Sequence, residues 1–292
     1  MNRWKLAASA VAVAGLLAAC SGGGGTPPPT SGGGGGATAT ATGSTGTPAP
    51  GGDAAWCTKG TPEANEFQVT FGEAAAAQDE WAADLGRSWR HFVPVTLTNK
   101  TAKPCWFSVD VELSVDGGPK LATERVAAPL KPGQSFIAQA FDLDEYVKFS
   151  ADAQDATATH EFETKVVEAK RSPAFDYYDM TFKVGERTGS GAATLISADL
   201  DIKAITEGMP ERLWSADIDY VYLLGLDANG DVITKAGNTV DEPKVPGTTT
   251  VQFAISGGES NGYNRNLMPL SVYDSVVDWA VQIQPPFTDL DR

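Results

Sequence analysis

Histidine and cysteine are scarce in this chain of 292 residues, which contains two His and three Cys. Zinc sites draw on clustered His and Cys, and a Ser-His-Asp triad requires a His beside a nucleophilic Ser. His91 and His160 are isolated from any such cluster, and no Gly-x-x-x-x-Gly-Lys phosphate loop occurs. We therefore expect no cofactor, no metal centre and no enzyme activity, with both His at strand edges or on the surface.

Positively charged residues are also scarce, since the chain has 22 Lys and Arg against 37 Asp and Glu. Its formal net charge is −15. The acidic residues are spread over the chain, and no basic run stands out. Nucleic acid and anionic lipid head groups bind to clusters of Lys and Arg. We expect neither as a partner, and we interpret the acidity as a solvated surface that repels its neighbours.

Long hydrophobic runs are absent from the sequence apart from "LAASAVAVAGLLAA", which follows Arg3 and Lys5 and leads into "LAAC" (17–20). A charged start, a short apolar run and a small-residue exit are typical of a cleaved secretory signal. With Cys20 at its end, the segment resembles a bacterial lipobox, which implies diacylation of Cys20 after removal of residues 1–19. The alternative is an ordinary signal peptide that contains a Cys. Two or three acyl chains would hold the protein stably on the outer side of the cell membrane, facing the cell surface or the periplasm.

The other two cysteines, Cys57 and Cys105, form the remaining pair in a chain that carries an export signal. A disulfide between them is the simplest expectation, and two buried free thiols are the alternative. Between Cys20 and these residues, the segment 20–53 consists almost entirely of Gly, Ser, Thr, Pro and Ala. It predicts a flexible linker with a root-mean-square span of about 30 Å.

After residue 53 the pattern changes to short stretches of alternating apolar and polar residues, separated by Gly and Pro. Such stretches are typical of the strands of β-sandwiches. They lie at 67–73, 91–99, 106–115, 135–143, 159–169, 180–186, 195–206, 216–226, 249–255 and 276–284. Trp106, Trp214 and Trp279 fall within or beside these strands and are expected in the core. The Ala-rich stretch 73–86 predicts a short helix or an ordered excursion.

The two halves of this region can be laid over each other. "FQVTFGE" matches "MTFKVGE", the hairpin "ELSVDGGPKLAT" matches "LLGLDANGDVITK", and "LKPGQSFIAQ" matches "KVPGTTTVQF". In these motifs the chain resembles the immunoglobulin-like modules of bacterial surface lipoproteins, including the FxLYD type and the antigen-like extracellular type. The resemblance implies an all-β fold of two tandem immunoglobulin-like antiparallel sandwiches, at 54–170 and 171–292, without catalytic residues.

Two acidic patterns suggest calcium. In "LDANGDV" the Gly is out of register for an EF-hand loop, and Asn-Gly between apolar strands predicts a type I′ hairpin turn instead. Asp199 with Asp201, and Asp217 with Asp219, each share one strand face, and the two pairs would form a weak metal site if their strands adjoined. The alternative, which we favour, is a solvated outer face with Leu200, Ile202, Ile218 and Tyr220 pointing inward. "DLDE" (142–145) is interpreted in the same way.

Aromatic and Arg side chains in two loops are candidates for a binding surface, because such residues dominate interface hot spots and long loops often carry function. The candidates are Trp81, Arg87, Trp89 and Arg90 in the first half and Tyr263, Arg265 and Tyr273 in the second.

The sequence therefore predicts a lipid-anchored cell-envelope protein that binds or displays without catalysis, with an envelope protein or glycan as its partner. One alternative is a structural component that assembles through sheet-edge pairing. A less favoured one is a secreted hydrolase or a calcium-dependent enzyme.

Overall fold

The computed structural model describes residues 42–44, 57–78, 89–149, 160–174, 176–189, 194–207, 218–241, 245–254 and 270–284. Within these ranges the chain is all-β, with one helical turn at Leu270–Tyr273 and a 3₁₀ turn at Leu143–Glu145. The strands are β1 Thr42–Ser44, β2 Phe67–Phe71, β3 Ala75–Gln78, β4 Trp89–Asn99, β5 Cys105–Val115, β6 Lys120–Leu130, β7 Ser135–Ala140, β8 Phe162–Pro173, β9 Tyr178–Val184, β10 Leu195–Ile205, β11 Ile218–Leu226, β12 Val232–Asp241, β13 Gly247–Ala254 and β14 Asp278–Gln284.

The strands form three sheets. We call β6-β5-β8 the first-half sheet, β1-β9-β10-β13 the second-half sheet, and β14-β11-β12-β7-β4-β2, to which β3 adds by pairing with β4, the spanning sheet. Every pairing of named strands is antiparallel except one parallel bridge, between Val232 of β12 and Phe136 of β7. That bridge joins strands of the first half (54–170) to strands of the second half (171–292) in one sheet.

The strand order repeats between the halves. The first half contains the orders β2-β4-β7 and β6-β5-β8, and the second contains β9-β10-β13 and β12-β11-β14, so that each strand of one half has a counterpart in the same position. Residues Thr38–Arg292 nevertheless form one compact unit. The division at residue 170 therefore stays a prediction, although the repeat seen in the sequence reappears in the topology.

The core follows the alternation of each strand. Phe107, Val109, Val111 and Leu113 of β5 are fully buried, and Phe107 stacks on Phe67 of β2 with ring centroids 5.9 Å apart. In the second half the buried residues of β10 are Ile196, Ala198, Leu200 and Ile202. One continuous cluster includes the buried residues of both halves. Burial of these apolar side chains stabilises the sheets.

Strand β11 differs from the alternating strands because both of its faces are covered. Val221 and Leu223 are fully buried on one face, and Tyr222 and Leu224 are buried on the other. Tyr222 reaches the first half, where its ring lies 4.9 Å from that of Trp106. The near-continuous apolar run "YVYLLGL" is the sequence signature of a strand buried on both sides.

Three expectations need correction here. The first concerns 73–86, predicted as a short helix or an ordered excursion. Residues 75–78 form strand β3 rather than a helix, because they pair with Phe92–Trp89 of β4, and 79–86 lie outside the described residues. The break between β2 and β3 lies opposite Pro94, whose carbonyl accepts a hydrogen bond from the Gly72 N–H at 2.8 Å. Proline has no N–H to offer the edge strand, so the ladder is interrupted at that point.

The second correction concerns the linker. Thr42–Ser44 pair with Thr181–Lys183 of β9 and form the edge of the second-half sheet. Without a neighbour on that side, the backbone groups of β9 would be left unpaired, and a short extended segment can satisfy them whatever its side chains. Cys20 and the rest of the predicted linker, at 21–41 and 45–53, lie outside the described residues.

The third correction concerns His91, which is buried rather than at the surface. Its ring Nδ1 lies 2.9 Å from Asp144 Oδ1, its main-chain N–H donates to Asp144 Oδ2 at 3.0 Å, and the ring stacks on Phe149 at 3.9 Å. The carboxylate comes from 53 positions away, so no local pattern announced it. His160 is half-buried beside Asp116, with Nδ1 and Oδ2 3.0 Å apart.

Candidate functional site at the junction of the two halves

The most unusual side chain of the described structure is Lys235 on β12, a buried cation. Three aromatic rings surround its ammonium, with Nζ 5.2 Å from the ring centroid of Trp106, 5.7 Å from Tyr222 and 5.9 Å from Phe136. Nζ also donates a hydrogen bond of 2.6 Å to the carbonyl of Ala127 on β6. Trp106, Phe136 and Ala127 belong to the first half, so a side chain of the second half is held inside the first.

The electrostatics of this enclosure set the protonation of Lys235. Burial disfavours the ammonium and lowers the pKa of Lys235 from its ordinary value of 10.5 to about 8. The ring faces offset part of the lost hydration through cation–π attraction. Burial also raises the pKa of the neighbouring Tyr222 phenol, so the phenol stays neutral and adds no anion to the enclosure.

A lysine with a lowered pKa is a stronger nucleophile than an exposed one, and some enzymes exploit this. Here the side chain is only 9% exposed. Its Nζ contacts β5, β6 and β7 of the first half, through the rings of Trp106 and Phe136 and the carbonyl of Ala127.

The turn 227–231 forms the second part of the junction. Gln134 donates to the carbonyl of Gly230 at 2.7 Å, and the N–H of Ser135 donates to Asp231 Oδ1 at 2.8 Å. Directly beyond it, Val232 makes the parallel bridge to Phe136. The hairpin tip of the second half is thereby bonded to the Pro-Gly turn that begins β7 in the first.

The conformation of this turn differs from the predicted type I′. Gly230 has φ of 81°, but Asn229 is not among the described non-Gly residues with positive φ. Asp227 Oδ1 instead accepts the N–H groups of Asn229 and Asp231, at 2.8 and 3.0 Å. A type I turn followed by a left-handed Gly fits these bonds and the register shift between Gly225 and Leu226. The turn type therefore follows the hydrogen bonds of the Asp227 side chain rather than the preference of the Asn-Gly pair for type I′. No ion is required to explain any of these contacts.

The acidic pairs do not come together. Asp199 and Asp201 lie exposed on β10 in the second-half sheet, whereas Asp219 lies on β11 in the spanning sheet. Asp199 Oδ1 accepts a hydrogen bond from the Thr250 hydroxyl at 2.6 Å, while Leu200 and Ile202 point inward, as the favoured interpretation had it. Asp217 lies outside the described residues. In the "DLDE" stretch, Asp144 bonds to His91, and Asp142 caps the 3₁₀ turn by accepting from the N–H of Asp144 at 3.3 Å.

Only some residues of the candidate binding surfaces lie within the described ranges. Arg90 is 2% exposed and Tyr273 is 9% exposed, so neither presents its side chain to a partner, contrary to expectation. Tyr273 is buried because it stacks on Trp279 at 6.3 Å, and burial raises the pKa of its phenol. Trp89 is half-buried. Trp81, Arg87, Tyr263 and Arg265 lie outside the described residues.

The expected aromatic core and disulfide can be placed as well. Trp106 is buried, and Trp279 packs against the core while remaining partly exposed. Trp214 lies outside the described residues. A disulfide joins Cys57 and Cys105, with their Cα atoms 5.3 Å apart. It fastens the segment before β2 to the start of β5.

Lys235 and one catalytic pattern are not among the candidates predicted from the sequence. The signal for Lys235 in the sequence was its position as a charged residue within an apolar strand pattern. Residues 258–262, "GESNG", match Gly-x-Ser-x-Gly and lie outside the described part of the chain. In α/β-hydrolases this pattern joins a strand to a helix. Here the pattern comes after β13 of the antiparallel second-half sheet along the chain.

Among the described residues, no three His, Cys, Asp or Glu side chains converge as a metal site would require. In the same ranges, no helix has the length and apolar character needed to span a bilayer. A scan against protein-family models gave no match to the chain. A search of curated proteins gave no match either.

Proposed function

We propose that this protein is a lipid-anchored component of the cell envelope that presents two coupled immunoglobulin-like sandwiches for binding an envelope protein or glycan. Acylated Cys20 and the linker would hold the folded unit at the outer side of the membrane. The shared strand order of the halves supports the two-module interpretation.

The observation that carries the proposal is the junction. A binding platform gains affinity when its parts are pre-organised, because less entropy is lost on association. The parallel bridge, the enclosed Lys235 and the bonds of Gly230 and Asp231 fix the second half on the first. The described strands of both halves are then held in a constant relation to each other.

The anchor is tested by Cys20→Ala in the full chain, followed by fractionation of cells. We expect the wild-type protein in the membrane fraction and Cys20→Ala in the medium or the soluble envelope fraction. Ser21→Ala is the matched control and should stay with the membrane. Retention of Cys20→Ala in the membrane would exclude the lipid anchor.

Binding is tested by crosslinking in intact cells, followed by capture of the full chain. The two candidate loops provide matched variants, Trp81→Ala with Arg87→Ala and Tyr263→Ala with Arg265→Ala. Loss of a hot-spot residue lowers affinity by about 2 kcal/mol or more. We expect one pair to abolish capture of a defined envelope partner and the other to leave it intact. Equal capture by the wild type and both variants would exclude these loops as the binding surface.

A second candidate function is assembly of an envelope structure through sheet edges. It is favoured by a specific observation, because among the described residues no backbone pairs with the outer side of Phe162–Ala169 in β8.

A further inference from the structure

The edge of β9 is the place where the predicted linker meets the second-half sheet. Thr42–Ser44 pair antiparallel with Thr181–Lys183 of this strand. In its pairing with β10, β9 keeps an unbroken register from Met180 to Val184, so no bulge bends this part of the edge away from a neighbour. The edge is therefore able to accept a strand, and part of it already does.

The hydrogen bonds of β9 alternate between its two neighbours. The N–H of Gly185 donates to the carbonyl of Ser197 on β10 at 2.8 Å. Because an antiparallel strand directs the backbone groups of successive residues to opposite sides, Phe182 and Val184 direct theirs to the side of the linker. Gly43 lies opposite Phe182 and is the residue of β1 that can exchange hydrogen bonds with it.

The template for a strand continues beyond the end of β9. Thr188 and Leu195 exchange two hydrogen bonds of 2.8 Å, so the chain returns to β10 after Val184. In the register of β1, linker residues 38–41 come opposite residues 184–187. The edge therefore offers the residues directly before β1 a continuation of the same pairing.

The linker sequence at this point alternates as a half-buried edge strand requires. Residues 38–44 read "TATATGS", in which Thr or Ser alternates with Ala or Gly. In the register of β1, the even positions share a face with Lys183, which is exposed, and the odd positions share a face with Phe182, which is buried. Hydroxyl residues on the solvated face and small residues on the buried face match the period of two of a strand.

Two further observations place the start of such a strand. A run of Gly, which weakens strands, occupies 32–36, and no Pro occurs between Pro29 and Pro48. The compact unit that contains the fold begins at Thr38. The sequence pattern and the extent of the compact unit therefore agree on the residue at which the docked segment begins.

We propose that the linker docks along the edge of β9 as one strand from Thr38 to Ser44, with the N–H groups of its odd-numbered residues directed at β9. The docked strand covers an edge that would otherwise be a template for unrelated strands. The docking is a property of the folded unit and does not depend on the lipid anchor or on a ligand.

The docked strand has a consequence for the proposed function. With Cys20 acylated, the folded unit is tethered through 21–37 rather than through 21–53, which shortens the free tether by roughly half. The tether then joins the second half first, although the first half comes first in the sequence. This consequence depends on the proposed anchor, whereas the docking itself does not.

The docking is tested by disulfide trapping in the full chain carrying Cys20→Ala, which needs no lipid anchor. Thr42 and Lys183 form a non-hydrogen-bonded pair, in which the Cα atoms lie about 4.5 Å apart, within the range of a disulfide. Thr42→Cys with Lys183→Cys should therefore cross-link within one chain on mild oxidation. Thr42→Cys with Thr181→Cys, two positions out of register, is the matched control and should not cross-link. A cross-link between two chains, or none at all, would overturn the proposal.

Two proline variants test whether the strand extends over residues 38–41. In the proposed register, proline at Ala41 removes an N–H that donates to β9, whereas proline at Thr40 removes one that faces solvent, which an edge strand tolerates. Ala41→Pro should slow the trapping of the 42–183 pair about tenfold, and Thr40→Pro should slow it less than about twofold. Both variants stiffen the linker to a similar extent, so the difference between them reports the register. Equal trapping rates in the two variants would exclude the extended strand.

Amide hydrogen exchange in the chain carrying only Cys20→Ala gives a second measurement. We expect slow exchange at positions 39, 41 and 43 and fast exchange at positions 38, 40 and 42, because only the odd-numbered residues donate to β9. Gly35 lies before the proposed strand and should exchange fast. Uniform exchange over 38–43, whether fast or slow, would contradict an edge strand.

Discussion

The hairpins β5–β6 and β11–β12 occupy the same position in the strand order of the two halves, yet they turn differently. In the first, Asp116 and Gly117 both have positive φ, of 53° and 67°, and Gly118 N–H bonds to the Val115 carbonyl at 2.9 Å, as in a type I′ turn. In the second, only Gly230 has positive φ, and Asp227 folds the turn around its own carboxylate. The longer turn places Asp231 where it can bond to the first half.

The halves also differ in how they are fastened. The first half has the disulfide, which ties its N-terminal segment to β5. The second half has no cysteine and is fastened through Lys235, Gly230 and Asp231 to the first. The first half is therefore held by a covalent bond of its own, whereas the second half is fastened by non-covalent contacts with the first. The following predictions test that asymmetry, beginning with the largest effect.

Removal of the disulfide should have the largest effect. Cys57 and Cys105 are 48 positions apart, and closure of such a loop is worth about 4 kcal/mol in the chain-entropy description. We expect Cys57→Ser with Cys105→Ser to lower the free energy of unfolding by about that amount in urea. Reduction of the wild type should reproduce the loss, and a stability unchanged by both treatments would contradict a structural role for the bond.

The buried lysine should give stability a pH dependence in alkaline solution. The folded pKa of Lys235, about 8, lies below the ordinary 10.5, so the unfolded chain binds the proton more tightly. The cost of the buried ammonium is therefore fully present below pH 8 and is relieved as the pH rises toward 10.5. The expected gain is about 3 kcal/mol. Lys235→Met serves as the control, because its unfolding free energy should lack this rise.

If Lys235→Met follows the same curve as the wild type in urea unfolding between pH 7.5 and 10, the rise belongs to other groups. The enclosure of Lys235 would then contribute nothing to the pH response.

The hydrogen bond between the halves should contribute less. Asp231→Ala leaves the N–H of Ser135 without its carboxylate acceptor, at a cost of about 1–3 kcal/mol. Asn229→Ala in the same turn removes only a contact with Asp227 and should cost less than about 0.5 kcal/mol. Thermal unfolding of both variants measures the two losses of stability. Equal losses would mean that the bond between Asp231 and Ser135 stabilises the protein no more than the contact within the turn.

The two turn glycines should show the smallest effects. A Cβ at Gly117 or at Gly230 meets no atom within 4 Å, so substitution by Ala costs only the left-handed conformation. That cost is about 1–2 kcal/mol at each position. Urea unfolding of Gly117→Ala and Gly230→Ala should therefore give similar losses. A negligible loss at Gly230 alone would show that the second turn can relax to another type.

Strand positions were predictable where alternation was strong, as in β4, β5 and β10, because one face of each is buried and the other solvated. For residues 75–78 the helix alternative was wrong, because alanine favours a helix locally, whereas the open edge of β4 offered these residues a pairing. Almost nothing in the sequence indicated the candidate site around Lys235. Lys235 is enclosed by residues that come from three other strands, and no spacing rule links them.

The sequence alone determined the all-β class, the positions of most strands, the repeated motifs and the cysteine pair, because these follow from local alternation, turn residues and the number of cysteines. Tertiary structure decided which strands share a sheet. It placed Asp199 and Asp219 in different sheets, buried His91 against Asp144, and fastened the "LDANGDV" hairpin to the first half. These outcomes depend on backbone and side-chain groups that meet only after folding, and their partners lie dozens of residues away.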